Sequence, residues 1–515
     1  MGEARRRSLR GRGALAAVGS AGPVELDTFA GKLHVEWDPQ AAVTPLGQLP
    51  FFIEFLKVSG LFERFVAQCP LEYASPNAPS KREVLGTLLL SILAGHHRYA
   101  HITGIRMDGV NPGLLGIGRV LSEDAVRRAL KRIEEDAGVK WLERQLAEVT
   151  APLLSTPWVL DIDTTVKPLY GHQQGAVLGY NPHKPGRPSH AYHSYQMANT
   201  RLVMNVEVEP GNHTASMYSA PELWQLLERL VAHERPALIR GDNAFGVEGV
   251  MGRAEALSMP YLFKLRQTAH VKRLIERLFS EPHWQDAGQG WEGAESTLCL
   301  ASWSARRRVV VLRRPLRNAL ALEQQEDGQQ IALALLSPTA PLKPYEYAVL
   351  VTSLGHPIRA LAQLYRDRAD CENHFDELKN QWGWGGYTTH DLARCRLIAR
   401  MVALIYNWWS LFVRLAHPDT HLEAITSRPL LLHAVAKQVE HAGQRRLTIT
   451  SLHAASATVQ RALRALSGFL SELHRSAEQL HPVQLWYRIL NHAFRKLLGD
   501  RPLKPPQLLL EMTLP

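Results

Sequence analysis

A chain of 515 residues with 59 Lys and Arg against 49 Asp and Glu has a formal net charge of +10, which favours an anionic partner, nucleic acid first. At 45% hydrophobic and 21% charged it has the make-up of a globular protein of roughly two to four domains, and no run reaches the roughly 18 apolar residues of a membrane span. Cys69, Cys299, Cys371 and Cys395 lie far apart, which excludes zinc spacing and predicts free thiols in a reducing, cytoplasmic setting.

Residues 1–45 read as a basic tail with an extended lead-in. The apolar stretch after Arg5–Arg12 is short and glycine-broken, so a disordered tail with nonspecific DNA affinity is expected rather than an export signal. From Leu46 apolar residues recur at helical spacing, and Ser80 is placed to cap a helix over 81–94. Ser122 caps a second helix that presents Arg127, Arg128, Lys131 and Arg132. This is either a DNA-recognition helix or a basic surface.

Near residue 157 the period changes. Trp158–Val166 alternates and is β-branched, which predicts a strand with Asp161 and Asp163 on one face. Two acids on one face of an apolar strand need cations or a metal. The loop 170–189 is dense in Gly and Pro, and its Gln173, Tyr180, Asn181, Lys184 and Arg187 could line a DNA groove. Two strands are expected over 191–198 and 201–208, then a helix over 221–234. A short strand from Ala237 ends in Arg240, Asp242 and Asn243. Asp242 sits where open α/β sheets place ligands, or it caps the helix 247–257.

A further strand covers 261–266. Residues 270–351 carry β-like runs at 296–303, 309–312, 331–336 and 345–353. The stretch 364–379 has no Pro or Gly and predicts a helix. Tyr365, Arg368, Glu372 and Lys379 would fall within an arc of roughly 60° on it, with Asp376 on the same face. An aromatic turn over 381–387 would stack on DNA or pack on the core. Beyond it, helices are expected over 391–415, 428–439, 450–473 and 483–498. No P-loop, GxSxG or metalloprotease motif occurs.

The spacing Tyr365-x2-Arg368-x3-Glu372-x6-Lys379 resembles the last catalytic motif of the DDE transposases of bacterial insertion sequences. Asp163-Thr164-Thr165 and Arg240-Gly241-Asp242 stand in the expected order before it, and the Gly179–Pro182 loop resembles one branch of that group. The resemblance implies an α+β and α/β multidomain chain with an RNase H-like mixed-sheet core. That core spans 156–268 and 354–416 and is split by a β-rich insertion over 269–353. A helical DNA-binding domain (46–155) precedes it, and a helical DNA-contact or dimerisation region (417–515) follows.

The resemblance also implies Asp163, Asp242 and Glu372 as catalytic acids holding two Mg²⁺ or Mn²⁺ ions, with Asp161 as the alternative to Asp163. It places Tyr365, Arg368 and Lys379 on DNA phosphates near the cut. Arg127, Arg128, Lys131 and Arg187 are further candidate DNA contacts. An insertion tryptophan (Trp284, Trp291 or Trp303) would stack on a flipped base, or each packs within the insertion. Arg306–Arg308, Arg313 and Arg314 would meet phosphates or protect a sheet edge. The expected activity is metal-dependent cleavage of element-end DNA and joining of the 3′ ends to target DNA by a homodimer on paired ends, in the bacterial cytoplasm. A nuclease that does not join, a catalytically silent DNA-binding regulator and a carboxylate-pair glycosidase are the alternatives.

Overall fold

The computed structural model describes residues 23–38, 40–181, 184–213, 220–281, 283–316, 345–476 and 480–505. The basic tail before residue 23, the β-like run 331–336 and the end from 506 lie outside the described residues.

The extended lead-in contains strands. β1 (Val24–Thr28) and β2 (Gly31–Val35) form a hairpin, and β3 (Val43–Thr44) follows. The longer helices that come next are α1 (Leu49–Ser59), α2 (Leu61–Ala67), α3 (Lys81–Leu93), α4 (Glu123–Arg132) and α5 (Glu135–Thr150). Their starts follow local chemistry. Ser80 and Glu83 form a capping box on α3, and the Ser122 hydroxyl accepts from the Ala125 amide at the head of α4.

The next nine strands are β4 (Val159–Pro168), β5 (Ser189–Met197), β6 (Leu202–Pro210), β7 (Leu238–Gly241), β8 (Tyr261–Lys264), β9 (Gln285–Gly288), β10 (Trp291–Leu298), β11 (Arg307–Pro315) and β12 (Tyr345–Thr352). They form one mixed sheet in the order β6-β5-β4-β7-β8-β12-β11-β10-β9. β4, β7 and β8 run parallel, and the remaining neighbours pair antiparallel. Helices α6 (Ala220–Glu228), α7 (Glu248–Ala256) and α8 (Ala269–Phe279) connect these strands. The segment expected as an insertion therefore lengthens the central sheet, because β12 pairs directly with β8.

The stretch expected as one helix over 364–379 is two helices and a wide turn. α9 (Ile358–Arg366) and α10 (Ala369–Asp376) flank a tightened turn at Asp367 and Arg368, and a π turn covers Glu377–Gln381. The amides of Arg368 and Cys371 bond three residues back, to the carbonyls of Tyr365 and Arg368, which overwinds the chain there. The even 100° phase assumed from sequence is lost at both places.

α11 (Leu392–Ala416) is the central helix of the all-helical half. Its buried residues include Trp408, Phe412 and even Arg400, which meets Glu207 and Asn205 from β6. α1, α5, α13 (Ser456–Ser476) and α14 (Pro482–Ala493) pack around it. The helix expected over 428–439 is corrected: α12 (Ala424–Leu431) ends early, and β13 (Ala436–His441) and β14 (Gln444–Ile449) form a hairpin. Its turn, Ala442-Gly443, takes positive φ at both residues (51° and 72°), the geometry of a tight two-residue hairpin turn. β3 adds to the outer edge of β13, so the lead-in and the C-terminal region share one small sheet.

Candidate active site

β4 and β7 lie side by side, with Asp161 opposite Arg240 and Ile162 opposite Gly241. One further step along that register puts Asp163 abreast of Asp242, on strands about 4.8 Å apart. Alternation then places Asp161, Asp163, Arg240 and Asp242 on one sheet face, which α9 and α10 cover. The Arg240–Leu364 and Asp163–Arg368 bonds cross between the two layers.

The two β4 aspartates differ in their partners. Asp161 is 1% exposed and is held by Arg240 through two bonds of 2.7 and 2.8 Å. Arg240 also donates to the Leu364 carbonyl at 2.5 Å, tying β7 to the end of α9. Asp163 accepts from its neighbour Thr164 amide at 2.7 Å and from Arg368 Nη2 at 2.5 Å. Burial pushes the Asp163 carboxyl up to about 6; Arg368 opposes that rise and Asp242 adds to it. Asp242 spends one oxygen on the Ala244 amide at 2.9 Å, a local turn bond rather than a long-range pair.

Arg368 stands between two acids. Its Nη1 is 3.7 Å from Glu372 Oε1, whereas the Glu372 side chain is 71% exposed. Tyr365 lies where all three acids act on it. Its phenol is pushed up to about 12, by burial first, with Asp242, Asp163 and Glu372 adding and Arg368 opposing. Among the described residues, no three His, Cys, Asp or Glu side chains are grouped closely enough to hold a metal ion. Glu372 faces solvent and Arg368 instead of closing on the aspartates, and the guanidinium is the positive charge they share.

A cleft of about 260 Å³ is lined by Asp163, Thr165, Glu372, Asp376 and Lys379. Lys379 Nζ donates to Thr165 Oγ1 at 2.9 Å, so the π turn brings it to β4 despite the lost helical phase. Thr165 and Lys379 also line a second cleft of about 210 Å³, which in turn shares Lys167, Pro168, Tyr170 and Gly385 with a third of about 540 Å³. The three make one trough from the acids to Arg127 of α4. Arg127 lies over the Tyr99 ring, whereas Arg128 and Lys131 are exposed on α4 outside the trough lining. Arg187 and Lys184 both lie over the ring of Tyr170, which gives the trough a cationic rim.

Lys167 is a site residue that the sequence did not single out. It is 9% exposed, donates to the Gly386 carbonyl at 3.1 Å and lies over the Tyr192 ring. Burial lowers its pKa to about 8. The available signal was alternation, since Lys167 follows Asp163 and Thr165 on the same strand face. A second missed group clamps α10: His374 Nδ1 and Cys371 Sγ both meet Gln196 Oε1 of β5, at 2.6 and 3.5 Å. That clamp fixes the two sides of Glu372 in sequence.

The aromatic turn packs inward, with Trp382, Trp384 and Tyr387 all buried. Each insertion tryptophan carries an arginine on its ring: Arg313 on Trp284, Arg314 on Trp291 and Arg307 on Trp303. The insertion arginines brace the sheet. Arg307 pairs with Glu248 and Glu255, Arg308 with Glu295, Arg313 with Glu292 and Arg314 with Glu346.

Comparison with known proteins gives a sequence family and remote structural likenesses. The family described as Transposase DDE domain, group 1, matches residues 60–470. No curated protein matches. Among solved structures, a cryo-EM piggyBac transposase synaptic complex with hairpin DNA aligns at a TM-score of 0.36 and 11% identity, covering 88% of this chain and 87% of that one.

Proposed function

Because the chain belongs to the Transposase DDE domain group 1 family, we propose that it is an insertion-sequence transposase that cuts element-end DNA and joins the freed 3′ ends to target DNA. The observation that supports this is that Asp163 and Asp242 each follow the last paired residues, Ile162 and Gly241, of two adjacent parallel strands, near the helices bearing Tyr365, Arg368 and Glu372. The strand order β6-β5-β4-β7-β8, antiparallel then parallel, supports an RNase H-like core over 156–268 and 354–416. Residues 46–155 and 417–515 would then supply DNA-contact and dimerisation surfaces.

The acids fit a hard divalent cation. They are oxygen-only donors, and Asp163 carries strain from burial and from Asp242 that such a cation would relieve. Asp163, Asp242 and Glu372 would hold Mg²⁺ or Mn²⁺; the pair of Asp161 with Arg240 supports Asp163 over Asp161 in that role. Bound there, such ions would supply activation of a water and charge stabilisation for the leaving oxygen of an in-line displacement. The chain's own side chains do the rest. Arg368 and Lys379 offset phosphate charge, and Tyr365 donates its hydroxyl to a phosphate oxygen. Water adds to phosphorus as the P–O3′ bond breaks and its proton passes to the departing 3′-oxygen; the freed 3′-hydroxyl then attacks a target phosphodiester in the same site, expelling the target strand's own 3′-oxygen, which takes up the proton. Arg127 and Arg187 lead the duplex along the trough, and Arg128 and Lys131 extend that contact on α4. The enzyme acts in the cytoplasm as a homodimer on paired ends.

A second reading, a DNA-binding regulator without cleavage, is favoured by one observation: Glu372 is exposed and, among the described residues, pairs with Arg368 alone. Cleavage of the element's own end DNA with Mg²⁺ separates the two. Wild type and Asp376→Asn are expected to cut, and Glu372→Gln to bind without cutting. Full cutting by Glu372→Gln refutes the catalytic assignment. Cut but unjoined products point to a plain nuclease.

A further inference from the structure

Among the described residues the strands of the β1–β2 hairpin pack chiefly on each other, and they are exposed along almost their whole length. Its faces are unlike. Val24 pairs with Val35 and Leu26 with Leu33 on one face; Glu25 opposes His34 and Asp27 opposes Lys32 on the other. Phe29 at the tip and Trp37 behind β2 are fully or largely exposed, at 116% and 75%. A two-stranded hairpin with an uncovered apolar face has little stability alone in water. The arm therefore has the character of an element that docks on another surface.

The root of the arm is fixed. The Gln438 amide donates to the Ala42 carbonyl, the Gly109 amide donates to the Val43 carbonyl, and Thr44 Oγ1 donates to Asp108 Oδ2 at 2.7 Å. These bonds hold the root beside β13 while the arm projects from it. The small β3-β13-β14 sheet borders a groove of about 420 Å³ of mixed lining, in which Phe51, Leu430, Ile449, Leu452, Val459 and Leu463 are apolar and His433, Gln460 and Arg464 are among the polar residues. Leu452 there is 95% exposed.

We propose that the arm of one chain docks into this groove of a second copy of the same chain, and that the exchange is reciprocal. Charge supports that occupant. The arm and its stem carry Glu25, Asp27, Glu36 and Asp38 against Lys32, in a chain that is otherwise basic. Arg464 lines the groove, and alternation puts Arg445 on the same β14 face as Leu447 and Ile449, which also line it. An acidic arm is repelled by DNA phosphates and attracted to this rim. Because root and groove border one small sheet, a two-fold axis beside it would bring both arms into reach of both grooves. This names a contact for the dimer proposed above, but its test uses protein alone and is independent of cleavage.

The full-length protein is measured by sedimentation with and without Phe29→Ser/Trp37→Ser, and separately with Leu452→Glu. Thermal melting checks that each variant folds. The wild type is expected to dimerise, and each variant to weaken the dimer about 30-fold or more, the loss of an aromatic anchor. In a Cys299→Ser background, which removes the exposed native thiol, mixing Phe29→Cys chains with Leu452→Cys chains is expected to give a covalent heterodimer on oxidation. A wild type that stays monomeric overturns the proposal, as does a dimer that both sets of variants leave intact. A disulfide that forms only within a doubly substituted chain assigns the arm to its own groove and overturns it too. DNA binding that falls with the arm variants while the dimer persists gives the arm to DNA instead.

Discussion

Arg240 grips Asp161 with two nitrogens, at 2.7 and 2.8 Å, two positions before Asp163 and Asp242 on their adjacent parallel strands. The same alternation that makes the two β4 aspartates look equivalent gives them opposite tasks, since one is paired inside the protein and the other meets the cleft. Asp161→Ala leaves a buried guanidinium without its carboxylate and is expected to cost about 3–5 kcal/mol of stability. Asp163→Asn is expected to fold with a much smaller change and to lose cleavage. Melting curves with a cleavage assay test this, and a stable, inactive Asp161→Ala would reverse the two roles.

Lys167 gives a pH test of the trough. Its folded pKa is lowered to about 8, so the unfolded chain binds this proton more readily than the folded one. The cost to stability is full below pH 8 and is relieved as pH rises from 8 towards the ordinary lysine value. Lys167→Met is therefore expected to gain about 1–3 kcal/mol at pH 7, an advantage that fades above pH 8. It should also bind DNA less tightly, with a salt slope shallower by about one charge. Unchanged DNA affinity at both pH 7 and pH 9 would remove Lys167 from the interface.

The clamp on α10 should make the site acid-sensitive. Burial holds His374 down to about 3, with Glu377 opposing, and His193 and His96 are held to about 4 by burial. Depressed histidines stay neutral when folded but take protons when unfolded. Their stability is complete above about 6.5 and is lost as pH falls towards 4. His374→Asn keeps a donor towards Gln196 and is expected to flatten that loss by up to about 1.4 kcal/mol per pH unit. Denaturation midpoints at pH 7.5, 5.5 and 4.5 measure the slope, and an unaltered slope would put His374 outside the acid response.

Gly293 on β10 has room for no more than hydrogen, since a Cβ there would lie 2.3 Å from Ile358 Cγ2 at the start of α9. Gly293→Val must push α9 off the sheet. Loss of cleavage with DNA binding intact is the expected result, from a residue that touches none of the site acids. Wild-type cleavage would show that α9 can move without carrying Tyr365.

Much of the site was legible because its signals are local. β4 alternates, β7 is a short apolar run ending in an acid, and Ser80 and Ser122 cap where capping chemistry predicts. The pairing of Asp161 with Arg240 was not legible, because it depends on which strands become neighbours. The break at Asp367 and Arg368 falls among good helix formers and is tightened by tertiary bonds, Arg240 to Leu364 and Arg368 to Asp163. The β13–β14 hairpin was missed because Ala436–His441 suits a helix as well as a strand, and the Ala442-Gly443 turn is a weaker signal than Asn-Gly.

α9 crosses the same sheet that carries the acids. Ile358 and Leu361 pack over β11 and β12, and Arg366 reaches the Ala287 carbonyl on β9, the sheet's far edge. The C-terminal end of α9 is thus tied to two strands of the sheet, to β9 through Arg366 and to β7 through Leu364 and Arg240. Tyr365 is therefore flanked in the chain by two residues anchored to different strands, so a shift of either strand bears on it from the neighbouring residue.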